Sequence, residues 1–539
     1  MQLTRKQFHE QVYFYTLILI AISLPLSTYT TSMFQIALAV NWLLEGKFAE
    51  KWRKVVSNRA LQMLLLFFFL HLAGMLWSDD LSYGLRILKI NLPLLGLPVV
   101  IATSTPLDMS RIHRVLLLFS VAVLVASLAS VFTLAGWLPG GIGGYRDMSL
   151  FISHSSLSLM LVLGLLVSLY FLFINRSPVW KLSRVWMAER IYHVLVIIWF
   201  TLFLFVLKSL SGIVAAGLVA FLLLLRGLFE IRDPAFRFMA VVPLIMIPLF
   251  SILYISHAVE KFYAFDEVVV EDLEAFTIEG NRYEHLTQQQ EVENGHYVWL
   301  YVCEEELERE WNRMSTIGYH ERISPDGSLR VTLIRFLTSR GLRKDAVGIK
   351  QLSEAEIRAI ETGTANHIFL DRFRLYPRIY EVIWEFYRYK IGYPPNNKSV
   401  VQRYLYLQAG WSIARENLLF GVGTGDVLRE FKTYYEEVNS PLEDKQRRDA
   451  HNQYLTELIA FGIPGLLIFL AAMVAPLFLA RRQRSFLATG FLILLMASML
   501  SAATLNSATG AALGALFYSL FLFGPDFPWL RQKSGKEDG

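Results

Sequence analysis

The sequence predicts an all-α polytopic membrane protein of about twelve transmembrane helices, with a large mixed α/β extracytoplasmic loop domain between the ninth and tenth helices. Three observations carry this reading. Apolar residues make up 54% of the 539 positions and charged residues only 18%, against roughly 45–50% and about 25% in soluble domains. The apolar residues gather in runs of about 16 to 25, long enough to cross a hydrocarbon core of about 30 Å. Lys and Arg are sorted between alternate connecting segments, as membrane topology requires. A soluble enzyme, a disordered scaffold and a disulfide-rich secreted domain are excluded. The single Cys303 can form no intrachain disulfide and supplies no metal or redox motif.

The expected spans are 12–29, 31–46, 60–77, 88–104, 114–138, 152–174, 190–208, 211–226, 237–256, 453–480, 484–503 and 506–524. The first follows Arg5 and Lys6 like a signal segment, but another apolar run comes at once, so it reads as a retained helix. Pro25 and Pro93 fall inside spans, which membrane helices tolerate. Glu457 and His71 are the main polar groups within them. About 22 Lys and Arg lie on one side and about four on the other: Arg86, Lys89, Arg146 and Lys208. That bias and the even count place both termini in the cytoplasm.

Three parts follow: membrane helices in 1–256, an outer loop domain over 257–450, and membrane helices with a cytoplasmic tail in 451–539. The loop carries roughly 25 basic and 32 acidic residues, enough chain for a small domain. Gly295–Val302 reads as a strand, Ser353 with Glu356 as a capping box, and Asp371–Lys390 as a helix. No internal repeat is visible, which weighs against transporters built on paired repeats.

Four features carry chemistry. First, an amphipathic helix containing Leu405, Trp411 and Arg415 stops at Asn417; Gly421, Gly423 and Gly425 then form a tight turn, and Asp426 is placed to cap a second helix. No strand precedes the glycines, so a dinucleotide loop is disfavoured. They suit close approach to another helix or to a phosphate. Second, Ala450-His451-Asn452-Gln453-Tyr454-Leu455 opens the tenth span. A helix N-terminus disfavours an imidazolium and favours an anion, so His451 can accept a proton there, unless it merely bonds a neighbouring loop. Third, Arg86, Lys89, Arg146, Lys208 and Arg403 are outward cations that suit a lipid-linked diphosphate as a group, although each alone could simply solvate a face. Fourth, Gly144–Asp147 with Ser153-His154-Ser155 precedes the sixth span, as a cap or as a substrate contact.

The order of these pieces resembles the O-antigen ligase and polymerase superfamily. An Arg-led helix, Arg403 to Ala414, is followed by the Phe420–Gly425 turn, by His451–Leu455 and by Gly462–Leu467. The resemblance implies a GT-C-like membrane fold at a bacterial inner membrane and transfer of a glycan from undecaprenyl diphosphate to an acceptor hydroxyl, with no nucleotide sugar, metal or other cofactor. Arg403 matches the family's loop Arg and His451 its essential His. Members often carry Ser-Arg before the loop pair; this chain has Ser209-Leu210, with Lys208 one residue earlier. The expected catalytic residues are therefore His451 as base and Arg403 on the leaving diphosphate. Arg86, Arg146, Lys208, Arg415, Gly421, Gly423, Gly425 and Asn452 are expected around the donor. In-line attack at the anomeric carbon inverts it. The expected partners are a lipid-linked oligosaccharide, a glycolipid, glycan or protein acceptor and membrane lipids, with no nucleic acid. A polymerase or a protein O-oligosaccharyltransferase shares the signature. A transporter or flippase usually holds more ionisable residues deep in its spans.

Overall fold

A computed structural model of the chain describes residues 4–137, 149–175, 183–207, 209–228, 233–324, 327–371 and 374–527. Arg146 and Lys208, with the Gly144–Asp147 cluster, lie outside the described residues. The described chain is mostly helical with little sheet. In order, the first helices are α1 (Arg5–Ser23), α2 (Thr28–Glu45), α3 (Phe48–Ser57), α4 (Arg59–Gly74), α5 (Leu81–Thr103), α6 (Met109–Leu134), α7 (His154–Leu169), α8 (Ser183–Val206), α9 (Leu210–Leu228) and α10 (Pro234–Phe262). The last three are α18 (Gln453–Leu479), α19 (Phe486–Met499) and α20 (Ala508–Phe523).

Each expected span overlaps one of these helices, and that over 12–29 runs past the end of α1 at Ser23 into the start of α2. Among the described residues, seven stretches are long and apolar enough to cross a membrane: Arg59–Trp77, Leu81–Thr103, Met109–Leu134, His154–Ile174, Met187–Val206, Pro234–Phe262 and Gln453–Leu479. Gly212–Leu228, Phe486–Met499 and Ala508–Phe523 are apolar but shorter. This is a multi-pass membrane protein. One helix was not expected. The segment FAEKWRKVVS of α3 reads as a charged connector, yet it folds with Lys51 buried against α2, its ammonium donating to the Trp42 carbonyl at 2.6 Å and pairing with Glu45 at 2.9 Å.

Contacts gather the chain into two compact units, one of Met1–Arg237, Leu405–Ser440 and Asp444–Gly539, the other of Phe238–Tyr404 with Pro441–Glu443. The expected boundaries at 256 and 450 are thus not those of the contacts. Residues 405–440 join the membrane helices because the glycine turn and Asp426 bond directly to α4, α5 and α18.

The second unit is helical rather than evenly mixed. Its only paired strands among the described residues are two short hairpins, β1 (Val292–Glu293) with β2 (His296–Tyr297), and β3 (Arg322–Ser324) with β4 (Gly327–Ser328). The strand expected over Gly295–Val302 is thus cut to its first residues, since the chain turns at Val298–Trp299 and Tyr301 is left-handed at φ 56°. The helices are α11 (Glu304–Met314), α12 (Leu329–Ser339), α13 (Ala346–Ile349), α14 (Glu354–Glu361) and α15 (Tyr376–Lys390). Ser353 and Glu356 form the expected capping box at α14. Leu307, Trp311, Leu333, Phe336, Leu337 and Ile360 are fully buried at its core. Two further helices follow, α16 (Ser399–Glu416) and α17 (Val427–Glu437).

Candidate active site

The glycine turn between α16 and α17 docks on a break in α18. Within α18, Gly462 leaves helical geometry at φ 66° and ψ −168°, two residues before Pro464. The break frees backbone groups that a lipid-facing helix could not leave unpaired. The turn satisfies them: Val422 N–H donates to the Ile459 carbonyl at 2.9 Å and Gly423 N–H to that of Ala460 at 2.9 Å. In return Ile463 N–H donates to the Leu418 carbonyl at 2.7 Å. Gly421, at φ 69°, lies so close that a Cβ there would sit 2.3 Å from the Ala460–Phe461 backbone. The sequence signatures around Gly421 and Gly462 are therefore two halves of one joint.

This corrects the reading of the glycines as diphosphate contacts. Gly421 N–H donates to the Asn417 carbonyl at 3.0 Å and Gly425 N–H to the Ser78 hydroxyl at 2.9 Å. With Gly423 also occupied, the turn's glycine N–H groups are spent on protein acceptors. Gly421→Ala is accordingly expected to lower the thermal midpoint in detergent, since left-handed geometry alone costs a Cβ about 1–2 kcal/mol and the clash adds to it. An unchanged midpoint would show that the turn is not docked.

Asp426 precedes α17 as expected, but its carboxylate does not cap that helix. It accepts from the N–H groups of Asp79 and Asp80 at 2.8 and 2.9 Å, holding the α4–α5 connection, and Arg429 reaches Asp79 at 3.0 Å. Asp80 in turn caps α5 by accepting from Tyr83 N–H at 2.9 Å.

Below the joint, the first turns of α18 are pinned by a buried polar network. Gln453 donates to Glu457 at 2.6 Å and accepts from Leu505 N–H at 2.9 Å, while His71 of α4 lies 3.8 Å from Glu457. Asn452 is the N-cap, accepting from Leu455 N–H at 3.0 Å, and its amide donates to the Leu500 carbonyl at 3.0 Å. Both ends of its side chain thus hold the start of α18 in place.

His451 stands immediately before this cap with a left-handed backbone, φ 48°. That conformation folds its ring back over Asp449. Nδ1 lies 2.5 Å from the Asp449 carboxylate, and the His451 N–H donates to the same oxygen at 3.1 Å. Burial pushes the Asp449 carboxyl up, but the hydrogen bond and charge of His451 outweigh it and hold it below the usual aspartate range. A carboxylate on Nδ1 assigns the proton to that nitrogen, so Nε2 carries the lone pair. Nε2 has no hydrogen-bond partner among the described residues, and the side chain is 36% exposed. The helix terminus is therefore not the chief control on this ring; the carboxylate two residues earlier is.

Two tyrosines hold the strand that carries the pair. Tyr406 of α16 packs its ring 5.5 Å from that of His451 and donates to the Gln446 carbonyl at 2.6 Å. Tyr435 of α17 donates to the Arg448 carbonyl at 2.8 Å.

The remaining expected residues divide. Arg86 and Lys89 are exposed on α5, and Arg403 is exposed on α16. Arg415 is exposed in the last turn of α16, where a cation suits the helix C-terminus. Ser153 is the N-cap of α7 and His154 Nε2 lies 2.8 Å from the Leu207 carbonyl, so these two described residues of the cluster tie down the start of α7. The sequence reading missed Asp449, Tyr406 and Tyr435.

The joint, the Asp449–His451 pair and the start of α18 all fall within one matched stretch. The O-antigen ligase family model matches residues 360–470. Residues 360–470 are thus similar to the O-antigen ligase family. No curated protein matches the chain. The matched family comprises glycosyltransferase-type enzymes.

Proposed function

We propose that this protein transfers a glycan from undecaprenyl diphosphate to an acceptor hydroxyl at the outer face of a bacterial inner membrane, with twelve spans and both termini in the cytoplasm. The observation that carries the reading is the Asp449–His451 pair within the stretch that the O-antigen ligase family model matches. A sugar hydroxyl is a poor nucleophile until a base takes its proton. Nε2 of His451 is that base, and Asp449 fixes the tautomer and stabilises the charge left on the ring. The hydroxyl oxygen then attacks the anomeric carbon as its bond to the diphosphate oxygen breaks, inverting the centre.

Arg403 is the proposed contact to the leaving diphosphate, because a guanidinium can hold two phosphate oxygens at once. Arg403→Lys keeps the charge but loses the fork, so transfer should fall by about a hundredfold, the usual loss for one such contact. Wild-type turnover in Arg403→Lys and Arg403→Ala would reduce it to a solvated charge. Arg86 is a secondary contact in this scheme.

Deletion of the chromosomal copy, followed by a gel of surface glycans, tests the function. Loss of long chains from the lipid anchor with accumulation of lipid-linked glycan marks a ligase. Acceptors bearing single repeats mark a polymerase, and unmodified glycoproteins with normal lipid glycans mark a protein transferase. Unchanged glycans throughout would contradict all three.

A further inference from the structure

The second unit contains a cavity of about 350 Å³ that no step above uses, within the size range of small-ligand sites. Its walls include Arg335, Thr364, Phe369, Tyr380, Trp384 and Lys398. The acids and the donors around it are unequally occupied. Fully buried Glu293 is filled by Arg335 at 2.7 Å, Asn366 at 2.6 Å and Tyr380 at 3.0 Å. Glu381 pairs with Arg378 at 2.6 Å. Glu385 accepts from Val400 N–H at 3.0 Å, and burial holds its carboxyl above the usual range.

The donors have less to do. The Lys398 ammonium makes no hydrogen bond or ion pair among the described residues, and the buried Trp384 indole N–H has no partner. Three cations crowd that indole, Arg335 at 4.7 Å, Arg388 at 4.8 Å and Lys398 at 5.0 Å from its ring centre. Burial, then the charges of Arg388 and Arg335, hold Lys398 below the usual lysine range. An anion beside Lys398 relieves that crowding. Phe369, 38% exposed, adds an apolar wall, and the Thr364 hydroxyl a neutral polar group. A carboxylate, an apolar ring face and hydroxyls together describe an acidic sugar.

We propose that this cavity binds an acidic sugar ring of a glycan, with its carboxylate on Lys398 and its C–H face against Phe369. The transferase reading explains only where such a glycan comes from; binding itself does not depend on turnover. The test uses the purified full chain with His451→Ala, titrated with trigalacturonate, maltotriose and inorganic phosphate. Trigalacturonate should bind saturably and more tightly than maltotriose, and Lys398→Met should weaken it about tenfold, the loss of one charge-assisted contact. Phe369→Ala should weaken it with the same thermal midpoint, and Lys398→Gln gives a second check should Lys398→Met unfold. No binding, binding unchanged in both Lys398 variants, equal affinity for maltotriose, or equal displacement by phosphate each overturns the proposal. Sugar binding without any transfer by the wild type would instead sink the transferase reading and leave this site standing.

Discussion

Asp449→Asn should cut glycan transfer by about 10³ to 10⁴, the scale seen when a carboxylate that fixes a catalytic His tautomer is neutralised. The substitution is nearly isosteric, and the His451 N–H can still bond the Asn oxygen. What changes is the ring. An Asn oxygen that keeps the His451 N–H also keeps Nδ1 but lacks the charge that stabilises the protonated ring. An amide N–H turned to Nδ1 instead drives the proton to Nε2, the nitrogen that should accept the acceptor's proton. Donor binding should be little affected, because Asp449 touches His451 and not the diphosphate. Expression and thermal midpoint therefore serve as controls. A loss of less than tenfold would show that the pair is a structural contact only.

Removing the base is the second large effect. His451→Ala and His451→Gln should each lower transfer by about 10² to 10⁴, with insertion in the membrane and donor binding retained. Gln can hydrogen-bond the acceptor hydroxyl but cannot take its proton, so the two variants should be nearly equal. The double variant with Asp449→Asn should be no worse than His451→Gln alone, since the carboxylate acts through the ring. Additive losses would assign Asp449 a separate function.

Most of the membrane helices were legible because an apolar run long enough to span needs no tertiary partner to be helical. The 47–59 segment was not, since α3 buries one Lys in an otherwise charged stretch and only the Trp42 carbonyl and Glu45 explain it. The loop's aromatic run at Gly295–Val302 carried strand propensity that tertiary packing overrode, leaving a two-residue pair. The glycines signal a close approach, with a helix and a phosphate both open as its target. Its target was not readable, because the break at Gly462 lies about forty residues downstream and either side looks like an ordinary loop alone. Asp426 shows the same limit: its position suits a cap, but its carboxylate answers the exposed N–H groups of Asp79 and Asp80.

At the site, His451 was visible from its position before a membrane helix and from the family signature. Asp449 was not, although it stands two residues away. On a helix an i, i+2 pair does not meet, but the chain ahead of α18 is irregular with His451 left-handed, and there the two side chains come together. An Asp-x-His sequence ahead of a capped helix is the signal that could have found it.

The most direct measurement is transfer of purified lipid-linked glycan to its acceptor from about pH 5 to about pH 9, in wild type, Asp449→Asn and His451→Gln. Wild type should lose rate on the acid side, as protonation of Nε2 removes the lone pair. Asp449 stays ionised over this whole range, since it is held below the usual aspartate range, so the acid limb belongs to the ring. His451→Gln should retain only a low rate without that limb. If His451→Gln keeps most of the activity, or shows the wild-type acid limb unchanged, the base lies elsewhere and the Asp449–His451 pair only shapes the start of α18.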